Sequence, residues 1–225
     1  MCGIVGYIGN RDAVHLLLKG LKRLEYRGYD SAGIAVLTDG HIHSIKKSGK
    51  VAQLKVLVDD TPMKGNIGIA HTRWATHGEP NDINAHPHLD HTGKIALIHN
   101  GIIENHETIR KVLDERDIPF TSDTDSEVLV QLVSTMYYEK DGFSFEGAFR
   151  AALRDIVGTY GVVMVCEDEP GTIYAARMGS PLVIGIGENE YFLASDASPI
   201  VEYTRNVIYL DEGEMVKLTR DNHFI

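Results

Sequence analysis

The chain predicts an α+β fold in which two sheets pack face to face and helices cover their outer sides. Three observations carry that expectation. Strand-like and helix-like segments come in groups rather than in strict alternation, which disfavours a doubly wound parallel sheet. Several strand-like runs, such as residues 4–9 and 162–165, are almost continuously apolar, so both of their faces need cover. The 225 residues, 43% hydrophobic and 24% charged, have the composition of an ordinary globular protein with room for one large domain or two small ones.

The elements follow in order. Residues 4–9 read as a buried strand closed by a Gly-Asn turn. Val14, Leu17, Leu18, Leu21 and Leu24 then recur at helical spacing, with lysine and arginine between them. Residues 31–37 and 42–46 flank Thr38-Asp39-Gly40 and read as a hairpin through the Asp-Gly turn. Residues 51–58 predict a helix and 67–72 a strand. Residues 73–92, rich in His, Asn, Asp and Pro and without a clear period, predict a long irregular loop of the functional kind. Residues 95–99 form a strand that runs into Asn100-Gly101, and helices are expected over 105–116, 125–138 and 145–157. From Tyr160 onward, runs at 162–165, 172–177, 182–186, 191–194, 207–210 and 215–218 are strand-like and separated by Gly, Pro and Asp. The sequence stops at Asn222-His223-Phe224-Ile225, just past a strand and without a polar tail, as expected of a domain within a longer protein.

Charge and cysteine content exclude several classes. A formal charge of −10, with no lysine/arginine run longer than two, argues against a nucleic-acid binder. The start lacks a basic leader before an apolar run, and no apolar stretch is long enough to span a membrane. Cys2 and Cys166 are too few for a disulfide framework, which points to the reducing cytoplasm.

Cys2 directly follows the initiator methionine in Met1-Cys2-Gly3-Ile4-Val5-Gly6. Removal of Met1 would leave a thiol and a free α-amine on one residue. With pKa values of about 8 for the amine and about 8.5 for the thiol, the pair supplies a nucleophile with its own base. The plainer alternative is a small apolar residue at the start of a strand. Asn100-Gly101 offers an amide NH₂ and a backbone N–H that could face a developing oxyanion, or a strand-ending turn. Arg73 could clamp a carboxylate or make a surface salt bridge. Asp125, in the acidic turn Ser122-Asp123-Thr124-Asp125-Ser126-Glu127, could receive an ammonium group or serve as a helix N-cap. Cys166, after an apolar run, reads as a strand residue without a catalytic role.

His86-Pro87-His88-Leu89-Asp90-His91 matches the H-x-H-x-D-H pattern of metallo-β-lactamase-like hydrolases. That site also needs a histidine well downstream, and none occurs between His106 and His223. The expectation is therefore no bound metal and no cofactor.

The chain resembles the class II, N-terminal-nucleophile glutamine amidotransferases, and within them the glutaminase domain of the glucosamine-6-phosphate-forming branch. The resemblance covers nearly all residues. It rests on Cys2-Gly3-Ile4-Val5-Gly6, on the block from Arg23 through Tyr26-Arg27-Gly28-Tyr29-Asp30 to Gly33, and on Ala70-His71-Thr72-Arg73-Trp74-Ala75-Thr76-His77-Gly78. It continues through Asn84-Ala85-His86-Pro87-His88, His99-Asn100-Gly101-Ile102-Ile103-Glu104-Asn105, Thr124-Asp125-Ser126-Glu127 and Gly179-Ser180-Pro181-Leu182. The cysteine block alone is shared with other branches, whereas the second and third blocks are much more specific to this one. His86 and His88 fall inside a family block, which absorbs most of the metal-like signal.

The resemblance implies a four-layer αββα sandwich of the N-terminal-nucleophile hydrolase type, with residues 1–225 forming a single amidotransferase domain. Cys2 would attack the side-chain amide of L-glutamine, with Asn100 Nδ2 and the Gly101 N–H stabilising the oxyanion. Arg73 would hold the substrate carboxylate and Asp125 its ammonium. Trp74, Thr76 and His77 would add contacts from the same loop, and Arg27 a supporting one. The branch carries C-terminal sugar isomerase domains, absent from this sequence, in a parent enzyme expected to be a homo-oligomer. Two rival readings are a regulatory domain with a vestigial site and a metal-dependent hydrolase.

Overall fold

A computed structural model of the chain describes residues 2–61, 63–74, 78–139 and 143–225. The first strand, β1 (Gly3–Ile8), turns Ile4 and Ile8 to one side and Val5 and Tyr7 to the other, and all four are buried. A strand with two apolar faces needs a layer on each. One is α1 (Ala13–Leu24), which starts where the Asp12 carboxylate accepts the Val14 N–H at 3.1 Å. Its stripe of Leu17, Leu21 and Leu24 packs on Val5 and Tyr7.

The expected hairpin is present. β2 (Ser31–Thr38) and β3 (His41–Ser48) are joined by Asp39 and Gly40, whose φ angles of 53° and 83° suit a tight two-residue turn. α2 (Val51–Asp60) then lies beside α1, and β4 (Ile67–Arg73) enters between β1 and β2. β9 (Val183–Ile186), β10 (Tyr191–Ala194) and β11 (Val207–Tyr209) complete a seven-stranded sheet in the order β11-β9-β10-β1-β4-β2-β3.

The second sheet contains β5 (His88–Leu89), β6 (Ile95–Ile103), β7 (Gly158–Cys166), β8 (Thr172–Met178), β12 (Met215–Thr219) and β13 (His223–Phe224). Its order is β13-β12-β8-β7-β6-β5. Leu97 and Met164 face α3 (His106–Asp114), α4 (Asp125–Tyr138) and α5 (Phe145–Asp155), while Ala96, Ile98 and Val163 meet Ile4, Ile8 and Ile69 of the first sheet. Three apolar cores thus separate four layers, helix–sheet–sheet–helix, as the sequence predicts.

The structure differs from the sequence reading at the strand ends. β6 and β7 run to Ile103 and from Gly158, so Asn100 pairs with Gly161 and Gly101 with Tyr160 inside a ladder rather than after it. The Asn-Gly pair is not a turn. A two-residue strand, β5, forms within the expected loop, and the last residues pair back on β12 as β13. In each case cross-strand hydrogen bonding decides, and local composition does not carry that information.

Candidate active site

β1 lies between β10 and β4, so its N-terminal end is fixed from both sides. The Ile4 N–H donates to Ser195 Oγ at 3.0 Å, and Gly3 pairs with Thr72. Residue 3 must be glycine, because a Cβ would sit 2.6 Å from Thr72 Oγ1 and 2.8 Å from Leu24 Cβ. Cys2 therefore emerges beside the end of β4. The Trp74 N–H donates to its Sγ at 3.1 Å, and the thiol reaches back to the Trp74 carbonyl at 3.6 Å. Burial pushes the Cys2 thiol above its ordinary range, opposed by the Trp74 N–H and the Arg73 guanidinium. A neutral thiol needs a proton acceptor before it can attack.

Asn100 approaches Cys2 from the other sheet. Its Nδ2 donates to the Cys2 carbonyl at 3.0 Å, and its Oδ1 lies 2.9 Å from His71 Nε2. Gly101 has a φ of 135°, and a Cβ there would meet the Thr159 carbonyl at 2.0 Å, so only glycine fits. Without a side chain, Gly101 lines the same cavity as the Cys2 thiol.

Arg73, the last residue of β4, is buried, and its Nη1 donates to the Glu79 carbonyl at 3.4 Å. Asp125 opens α4 but does not cap it. Thr124 is the N-cap, accepting the Glu127 N–H at 3.3 Å, and Asp125 Oδ2 instead accepts the Ile103 N–H at 2.8 Å. Cys2, Arg73, Trp74, His86, His99, Gly101, Thr124, Asp125 and Ser126 line one small cavity of about 30 Å³. It holds a buried cation and a buried carboxylate around a thiol. A wider groove of about 560 Å³ between α1 and α2 is lined by Val14, Leu18, Val51, Val58 and lysines and has no cysteine in its lining.

The other expected site residues are placed as follows. Trp74 contacts Cys2 through its peptide group, while its indole is 45% exposed and meets the Tyr29 ring edge-on at 5.5 Å. Arg27 ends a short 3₁₀ turn and pairs with Asp196 at 3.5 Å. Met1, Thr76 and His77 lie outside the described residues. Cys166 is buried in the second sheet's helix-facing core, where burial raises its thiol to about 12.

Within the histidine-rich stretch the His86 and His88 rings pack together at 4.5 Å, while Asp90 and His91 are engaged elsewhere. Asp90 accepts from the Ile95 N–H at 2.8 Å and Ser134 Oγ at 2.7 Å, His91 faces Gln131, and His88 Nε2 lies 3.0 Å from Thr124 Oγ1. Among the described residues no group of three or more His, Cys, Asp or Glu is arranged to hold a metal. Burial lowers the pKa of His71 to about 3 and pushes His86, His88 and His99 down as well. Sequence reasoning missed His71 as the partner of Asn100, Glu79 as the partner of Arg73, and the lining residues His99 and Ser126. The two histidines stand inside recognised blocks, but nothing in their spacing reveals a contact between sheets.

Two packed sheets with outer helices, a cysteine at the head of a central strand and an Asn-Gly donor pair facing it define the N-terminal-nucleophile hydrolase class. A family model described as a glutamine amidotransferase domain matches residues 58–224. The chain belongs to that family. It is 56% identical over 228 residues to the glutamine–fructose-6-phosphate aminotransferase [isomerizing] of Chlorobaculum tepidum, covering 100% of this chain and 37% of that protein. The enzyme of the same name from Bacteroides thetaiotaomicron is 52% identical, over 98% of this chain and 36% of its own length. The chain thus spans little more than a third of these relatives. A solved glutamine phosphoribosylpyrophosphate amidotransferase from B. subtilis matches 99% of this chain and 48% of its own, with a TM-score of 0.84 at 25% identity. Among the described residues no helix is long and apolar enough to cross a membrane.

Proposed function

We propose that this chain hydrolyses L-glutamine to glutamate and ammonia through a γ-glutamyl thioester on Cys2, once Met1 has been removed. The supporting observation is the 3.0 Å hydrogen bond from Asn100 Nδ2 to the Cys2 carbonyl, a side-chain amide donor beside the residue read as the nucleophile. The free α-amine takes the thiol proton, and Sγ attacks the side-chain carbonyl carbon. Asn100 Nδ2 and the Gly101 N–H receive the charge that develops on the oxygen. The α-ammonium then returns its proton to the departing nitrogen, which leaves as ammonia, and a water molecule cleaves the thioester to glutamate. Arg73 and Asp125 hold the substrate carboxylate and ammonium, with Thr76 and His77 adding contacts and Trp74 at the mouth.

By kinship with the aminotransferases, residues 1–225 act as a single type 2 amidotransferase domain of a glucosamine-6-phosphate synthase. The ammonia of the parent enzyme then goes to fructose 6-phosphate, bound by sugar isomerase domains outside this segment, for amino-sugar synthesis. The cytoplasm is the proposed compartment, since a reduced Cys2 persists there. Glutamate release that continues in a metal chelator, disappears in Cys2→Ala and is absent from chain retaining Met1 by intact mass is the expected result. Release that survives Cys2→Ala would overturn the proposal.

A further inference from the structure

His71 lies on β4, in the opposite sheet from Asn100, and is 1% exposed. Asn100 Nδ2 and Oδ1 cannot be told apart by shape, but their neighbours decide the matter. The atom 3.0 Å from the Cys2 carbonyl must be a donor, because a carbonyl oxygen only accepts. Oδ1 is therefore the atom that faces His71 Nε2 at 2.9 Å, and it too only accepts, so His71 carries its proton on Nε2. Burial keeps the ring neutral. The His86 ring stacks against it with centroids 4.2 Å apart, which holds the imidazole in place.

We propose that His71 is the positioning residue of the oxyanion site, its Nε2–H holding Asn100 Oδ1 so that one Nδ2 hydrogen is committed to the Cys2 carbonyl and the other is left for the oxyanion. The inference rests on the glutaminase reading of Cys2 and Asn100. Loss of the donor leaves a buried amide oxygen without a partner and frees the Asn100 side chain to turn over.

Glutamine reaches the place of Nε2 and asparagine only that of Nδ1, so the two substitutions separate the donor from the bulk of the ring. His71→Asn is expected to lower kcat for glutamate release by about 10–100-fold with KM changed by less than about threefold, and His71→Gln to restore most of the loss. In an Asn100→Ala background His71→Asn is expected to have no further effect, since the residue acts only through Asn100. An undiminished loss in that background, or equal losses for Gln and Asn, would overturn the proposal. An Asn100→Ala variant with normal kcat would overturn the oxyanion reading itself. Nitrogen NMR of the unmutated chain with isotope-labelled histidine gives a check that does not depend on any variant folding. A neutral His71 protonated on Nε2 is expected, and the opposite tautomer would also overturn the proposal.

Discussion

The two halves of the site are held in different ways. On the first sheet the Cys2 thiol is bracketed by one peptide group, at 3.1 Å and 3.6 Å, and the Arg73 guanidinium reaches a loop carbonyl at 3.4 Å. On the other side Asn100 of β6 and Asp125 of α4 make bonds of 2.8–3.0 Å to Ile103, Cys2 and His71. The thiol and the guanidinium are thus held by longer contacts than the amide and the carboxylate. That division suits the proposed acyl transfer, in which sulfur would move through attack and deacylation while donors to the oxyanion act best without reorganising.

The half with the shorter contacts should suffer most from small changes. Gly101→Ala forces a Cβ into the Thr159 carbonyl at a positive φ, and should abolish glutamate release and destabilise the fold by about 3 kcal/mol. A thermal melt and an activity assay on the same sample check this, and a fully active variant would break the comparison. Asn100→Ala should lower kcat by about 10²–10³-fold with little change in KM. On the other half Arg73→Ala should instead act mainly on KM, raising it by about 30-fold or more as a buried charge loses its partner in the complex. Similar changes in both parameters for both variants would erase the distinction between the halves.

A slower effect involves the ground between them. His71, His86, His88 and His99 are buried, and burial lowers all four below the ordinary histidine value. In the unfolded chain each takes up a proton near pH ~6.5. Below that pH the unfolded state binds more protons than the folded one, so stability is full above about 6.5 and falls as the solution is acidified. For His71 the loss continues towards about 3. Each such histidine contributes up to about 1.4 kcal/mol per pH unit. Urea denaturation at pH 7.5 and 5.5 should show a large drop, and equal stabilities would mean that the rings are charged in the folded state.

How much of this was legible beforehand varies with the kind of contact. The α1 stripe and the Asp39-Gly40 turn are local, and period and turn chemistry are enough to place them. Cys2, Asn100, Gly101, Arg73 and Asp125 stand in recognisable blocks, and the fold brings Cys2, Gly101, Arg73 and Asp125 to one cavity with Asn100 against the Cys2 carbonyl. Asp125 shows the limit of pattern. An acidic residue opening a helix reads as a cap, yet Thr124 takes that role because the Ile103 N–H claims the Asp125 carboxylate. The extra length of β6 and β7, and the pairing of His71 with Asn100, depend on chain segments 29 or more residues apart. No local window contains them.

The position of β1 also bears on the order of events in folding. Its partners are β4, roughly 60 to 70 residues downstream, and β10 at Tyr191–Ala194, so the strand that follows Cys2 is among the last to be enclosed as the chain is made from its N-terminus. Until residue 194 exists, the edge of β1 that β10 covers stays open. The strand with Cys2 at its head is thus enclosed on both edges only when nearly the whole chain has been made.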